Sequence, residues 1–136
     1  MVCEDRSMHL LAAAALAGTF AGRPYEPVSG LVAQTAERSA THRIVMIADI
    51  AVGCVSEEKA RVVAFQVPWK DGTWSLGSEL PTVRFMDTTV WATHDAATAT
   101  VTLTGVGTAS PTLTFSAATK DGTHRTSGTL PLTVCS

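Results

Sequence analysis

The chain has 136 residues, 46% hydrophobic and 16% charged, with a formal charge of −2. That is one domain's length, apolar enough to bury a core and too sparing in charge for the composition to read as disordered. The ten Lys and Arg residues are scattered, so the concentrated basic face that phosphate contacts require is missing and nucleic acid is set aside as a partner.

Leu10 to Ala21 reads LLAAAALAGTFA, a weakly apolar run too short to span a bilayer as a helix, which takes about 20 residues. Two readings fit it. One is a secretory signal cleaved near Ala15–Ala17 or Thr19–Ala21, although Glu4 and Asp5 outweigh Arg6 in the flank that such signals make positive. The other is an Ala-rich helix, capped by Asp5 or Ser7, ended by Gly22 and docked on the sheet. Residues 1–22 are therefore expected to form a leader. Residues 23–30, with Pro24 and Pro27, are expected to form an extended linker, and residues 31–136 one β domain.

Leu31 to Arg38 fits a strand or a short helix. Arg43 to Val55 (RIVMIADIAVGCV) predicts a strand buried on both faces, interrupted at Asp49. A carboxylate there must be paired, solvated at a bulge or functional, and pairing or a bulge is the expectation. After the polar turn Ser56–Lys59, residues 61–68 alternate, with Val63, Phe65 and Val67 on one face. The sequence Trp69-Lys70-Asp71-Gly72-Thr73-Trp74 then predicts a two-residue hairpin, because an Asp-Gly pair suits the positive φ of primed turns. In that hairpin Trp69 faces Trp74. The pair serves either as a stabilising cross-strand contact or as a stacking platform for a sugar or other ligand.

Further strands are expected at 80–86, 88–93, 97–104, 112–118 and 126–135. Threonine dominates this half and suits a pleated strand. Thr98, Thr100, Thr102 and Thr104 point one way and Ala99, Val101 and Leu103 the other. Leu113, Phe115, Leu130, Leu132 and Val134 continue the inward face. The alternating threonines present an ordered hydroxyl array, which is either a contact face or ordinary solvent-side strand chemistry. Pro131 lacks a donor, so the last strand should lie at an edge or carry a bulge. Phe65-x4-Lys70-Asp71-Gly72-Thr73 is echoed by Phe115-x4-Lys120-Asp121-Gly122-Thr123. We read the echo as shared turn chemistry, with duplication the alternative. Short strands at this spacing predict a two-sheet sandwich, with a small barrel as the runner-up.

Chemistry is thinly signalled. His9, His42, His94 and His124 show no metal-ligand spacing, and neither a nucleophile elbow nor a phosphate loop is present, so no catalytic residue, metal or cofactor is assigned. His94-Asp95 reads as a surface turn, and Glu57-Glu58 makes no acid/base dyad. Without a cleaved leader's Cys3, Cys54 and Cys135 remain as an even pair suited to one disulfide outside the cytosol, the alternative being buried thiols.

The strand rhythm and Thr/Val/Gly texture of residues 40–136 resemble the small immunoglobulin-like sandwiches of exported bacterial proteins and phage virions. The resemblance rests on no specific motif and transfers no functional residue. The expectation is a non-enzymatic binding or structural module that is secreted or at the cell surface. Its partners would be an extracellular ligand or other protein subunits, with oligomers allowed and no stable membrane span. One alternative is a structural subunit of a larger assembly such as a phage particle. A weaker one is a small hydrolase or ligand carrier built around His94 or Asp49.

Overall fold

Period-two alternation is realised through most of the computed structural model, which describes residues 18–32, 41–54 and 59–135. Its strands, in chain order, are β1 (Gly18–Phe20), β2 (Arg23–Tyr25), β3 (Ser29–Val32), β4 (His42–Ala48), β5 (Arg61–Pro68) and β6 (Gly72–Ser75). They continue as β7 (Val83–Asp87), β8 (Ala92–Asp95), β9 (Thr98–Thr104), β10 (Thr112–Ala118), β11 (Arg125–Pro131) and β12 (Thr133–Val134). Sheet A has the order β2-β1-β11-β10-β9-β6 and sheet B the order β12-β3-β4-β5-β7-β8. The two sheets do not close into a barrel, and the described residues contain no helix. Neighbours are antiparallel except β12, which runs parallel to β3.

The core lies between the sheets. Val101 and Leu103 of β9 and Leu113 and Phe115 of β10 meet Val45 and Ile47 of β4 and Val63, Phe65 and Val67 of β5 in one buried cluster. The rings of Phe65 and Phe115 lie 6.0 Å apart. The threonines of β9 face outward while Ala99, Val101 and Leu103 are buried, as the alternation predicts. A second, smaller cluster joins Ala48, Ala60 and Val62 with Ile50, Val52 and Met86.

Several local expectations differ from the structure. Residues 18–30, expected as the end of a leader and a linker, carry two strands and the start of a third, β3, which runs on through Leu31 and Val32. Ala21 (φ 53°) and Gly22 (φ 77°) form the two-residue turn between β1 and β2, with the positive φ angles that a primed hairpin turn needs. Pro24 lies in β2, the edge strand, where its missing N–H breaks no ladder bond. Phe20 and Tyr25 enter the core. The expected leader's residues 1–17 lie outside the described residues, as do most of 31–38 and Glu57-Glu58.

β4 ends at Ala48, so the apolar stretch 43–55 is not one strand, and Asp49 stands at its end rather than within it. The expected strand at 88–93 is mostly the turn joining β7 to β8. The last strand divides: β11 stops at Pro131, and the chain passes through buried Leu132 to β12 at the edge of sheet B. Val134 is consequently 38% exposed rather than inward.

The Asp71-Gly72 hairpin is also absent. β5 belongs to sheet B and β6 to sheet A, where it pairs with β9, so the segment crosses between sheets. Asp71 accepts a bond from the backbone N–H of Val106 (2.9 Å), fastening the crossover to the β9–β10 loop. In the echo, Asp121 instead accepts from the backbone N–H (3.1 Å) and hydroxyl (2.9 Å) of Thr123 and closes a tight hairpin turn with Gly122 at φ 75°. The two Lys-Asp-Gly-Thr segments share composition and differ in task.

Candidate functional site

The half-buried ion pair Asp49–Arg61 sits where β4 ends and β5 begins. Ser29 turns the chain after Asp49: its hydroxyl donates to the carbonyl of Ile50 (2.6 Å) and accepts from the N–H of Val52 (3.3 Å). Arg61 then reaches back, placing Nη2 2.7 Å and Nε 2.8 Å from Asp49 Oδ2. Its guanidinium lies 5.9 Å from the ring centre of Phe20 and 5.6 Å from that of Tyr25. The Tyr25 hydroxyl donates to the Arg61 carbonyl at 3.0 Å. Burial, and next the charge of Asp49, hold that phenol's pKa well above its ordinary value, so it remains a donor. Asp49 is therefore paired, as expected of a carboxylate in an apolar run.

Beside this pair stands the β7–β8 turn, Thr88 to Trp91. Thr88 anchors it to Ala60 three times: its N–H donates to the Ala60 carbonyl (3.0 Å), its hydroxyl donates to the same carbonyl (3.0 Å), and the hydroxyl accepts from the Ala60 N–H (2.8 Å). Asp87 caps the turn by accepting from the N–H and the hydroxyl of Thr89. So held, the turn displays Val90 at 68% and Trp91 at 77% exposure. Trp91 has φ 57°, a left-handed conformation that is an outlier for a bulky side chain. The ammonium of Lys59 lies 4.6 Å from the centre of the indole.

Between turn and ion pair lies an open cleft of about 540 Å³, lined among others by Arg23, Asp49, Lys59, Arg61, Asp87 and Thr89. Arg23 and Lys59 have no carboxylate partner among the described residues. A neighbouring cleft shares Asp49 and Arg61 and reaches Val28, which is 55% exposed. The cleft offers cations and carboxylate and hydroxyl acceptors, and Lys59, which lines it, stands against the exposed indole of Trp91.

No known family, curated protein or solved structure matches this chain. Its own residues therefore carry every functional argument.

The residues singled out from sequence are dispersed. Trp69 extends the β4–β5 ladder through its N–H to the Thr41 carbonyl (2.8 Å). It lines a separate cleft with His42, Arg43 and Glu79, and the Arg43 guanidinium lies 5.8 Å from its ring centre. Trp74 lies on β6 in the other sheet and folds back over Gly72, where a Cβ would come within 2.8 Å of its ring. The two indoles pack on the core from different places, Trp69 just past the end of β5 in sheet B and Trp74 on β6 in sheet A, and form no cross-strand pair. Cys54 and Cys135 are joined in a disulfide. His94 ends up on β8, stacked on His124 rather than free in a turn. The outer face of sheet A carries the rows Thr73–Thr102–Thr114–Thr129 and Ser75–Thr100–Ser116–Ser127. Hydroxyls pair along the first row at 2.9 Å (Thr73 with Thr102) and 3.0 Å (Thr114 with Thr129), which ties adjacent strands together.

Sequence reasoning missed Trp91, Lys59 and Arg23. A usable signal was Asp87-Thr88-Thr89, since an aspartate followed by hydroxyl residues folds readily into a side-chain-capped turn. The β-branched Thr-Thr-Val run hid it.

Proposed function

We propose that the chain is a non-enzymatic binding module, immunoglobulin-like in its sandwich, that works outside the cytosol. The observation that carries the compartment is the Cys54–Cys135 bond, which joins residues 81 apart in sequence. Such bonds persist in oxidising compartments and are reduced in most cytosols. Binding is supported by the pinned turn that holds an exposed indole against Lys59, which with Arg23 lines the adjoining cleft, neither cation having a carboxylate partner among the described residues. The immunoglobulin-like form is supported by two facing, largely antiparallel sheets between which the chain passes at β2–β3, β5–β6, β6–β7, β8–β9 and β11–β12. The disulfide departs from the immunoglobulin pattern, since it ties the loop after β4 to the chain end instead of bridging two core strands.

The test is the intact mass of the natively produced protein, before and after reduction and thiol alkylation. Cys54 and Cys135 that resist alkylation until reduced support the reading. Freely alkylated thiols in a native cytosolic protein overturn it.

A further inference from the structure

We propose that the cleft between the Trp91 turn and the Asp49–Arg61 pair binds an acidic saccharide, a sugar carrying carboxylate or sulfate. This names the ligand of the binding module proposed above and rests on that reading.

The turn bears the marks of a display device. In hairpin loops a positive-φ position is ordinarily filled by Gly or Asn. Here it holds the most exposed of the large apolar side chains described, Trp91 at 77%. Strained residues persist when their surroundings over-determine them, and they gather at ligand clamps. The bonds from Thr88 to Ala60 and the Asp87 cap supply that constraint. None of them involves the indole, so the constraint holds the backbone while the ring remains presented to solvent.

The cleft's chemistry selects among partners. Beside the cleft, the exposed Trp91 indole, against which the cleft-lining Lys59 stands, offers a surface for the apolar face of a sugar ring. Lys59 and Arg23 supply cations for an anionic substituent, and Arg is well shaped for carboxylate or sulfate. Asp49, Asp87 and Thr89 line the same cleft and accept hydrogen bonds, which sugar hydroxyls donate. An anionic membrane surface would match the cations and the Val90–Trp91 tip, but it offers the acceptors Asp87 and Thr89 fewer hydroxyl donors than a sugar does. A polyhydroxylated anion satisfies all three sets of groups at once.

The test is calorimetric titration of the full, oxidised chain with a galacturonate trimer and a heparin-derived tetrasaccharide. Galactotriose and phosphatidylglycerol vesicles are titrated for comparison. The proposal expects at least one acidic probe to bind about tenfold or more tightly than galactotriose, and to weaken as salt rises. Arg23→Gln, Lys59→Gln and Trp91→Ala should each weaken it about tenfold, while Lys59→Arg retains it. Melting curves show that each variant is folded. If neither acidic probe binds better than galactotriose, or if the variants bind as the wild type does, the proposal fails. It fails equally if only the vesicles bind, which would make the turn a membrane-docking tip. Any of these failures, in a protein whose disulfide is intact on native isolation, leaves the extracytoplasmic reading standing.

Discussion

The imidazole of His94, on β8 of sheet B, stacks on that of His124, immediately before β11 of sheet A, with ring centroids 4.3 Å apart. His124 is buried and also meets Phe20 at 4.7 Å and Phe85 at 5.5 Å, so it joins both layers at one end of the sandwich. Its Nδ1 lies 3.1 Å from the Thr123 hydroxyl, while Nε2 is buried without a partner among the described residues. Burial, and next the neighbouring His94, lower the pKa of His124, with Asp121 opposing. Lys120 and Asp95 line an open cleft with the two histidines. As pH falls through about 6.5, the unfolded chain takes up a proton that the native state still refuses. Stability therefore falls with pH from that point down to the depressed native value. Urea midpoints should drop between about pH 7.5 and about pH 5.5, and His124→Phe should flatten the drop. An equal drop in that variant would assign the effect to other groups.

Reduction should be costly. The Cys54–Cys135 bond spans 81 residues of chain, and in the chain-entropy model closing a loop of that length is worth about 4–5 kcal/mol. Cys135 already donates its N–H to the Val32 carbonyl at 3.0 Å, which holds the chain end against sheet B. Unfolding free energies from urea curves with and without reductant should differ by most of that amount, and Cys54→Ala should match the reduced protein. A reduced protein as stable as the oxidised one would show that native contacts alone hold the end.

What was legible in the sequence was local or forced. The alternation through β9 and β10 reads directly because one face meets the core and the other meets water. The pairing of Asp49 follows because a carboxylate in an apolar run needs a partner, and the even cysteine pair pointed to its own bond. Illegible were the points where strands change sheets. Asp71-Gly72 has the same turn chemistry whether β6 folds back on β5 or crosses to β9, and that choice is made by residues thirty positions away in sequence. Pro131, by its missing donor, signals an edge or a bulge. It ends a strand that, at its other end, is flanked by β1 and β10, and it marks the switch of layers. The candidate cleft was hidden for the same reason. Lys59, before β5, and Trp91, after β7, are brought together by the pairing of those strands, and Arg23 reaches the same cleft as Lys59 from β2 in the other sheet.

The β1–β11 contact depends on a missing side chain. A Cβ on Gly18 would stand 2.1 Å from the Arg125 carbonyl oxygen and 2.9 Å from Thr126 Cα, both backbone atoms that cannot turn aside. Gly18→Ala should therefore push β1 away from β11, loosen Phe20 and Tyr25 in the core and cost about 1–3 kcal/mol, the usual range for overpacking. Gly53→Ala, where a Cβ meets nothing within 4 Å, is the comparison and should melt as the wild type does. Equal melting of the two variants would mean that β1 shifts without loss.

Ala21 and Trp91 are the non-glycine residues with positive φ among those described, at 53° and 57°. A left-handed conformation costs an L-residue about 1–2 kcal/mol that glycine escapes. Ala21→Gly removes a single methyl from an exposed turn, so it should stabilise by about 1 kcal/mol, less some gain in unfolded-chain entropy. Trp91→Gly relieves the same strain but also removes the Lys59–indole contact, worth about 0.5–1 kcal/mol at an exposed site. It should therefore leave the melting temperature near that of the wild type or slightly above. If the indole is there to meet a ligand, Trp91→Gly loses binding at no cost in stability, whereas Ala21→Gly gains stability and keeps binding. A large loss of stability in Trp91→Gly would instead make the indole a structural strut, with the strain offset by packing rather than by recognition.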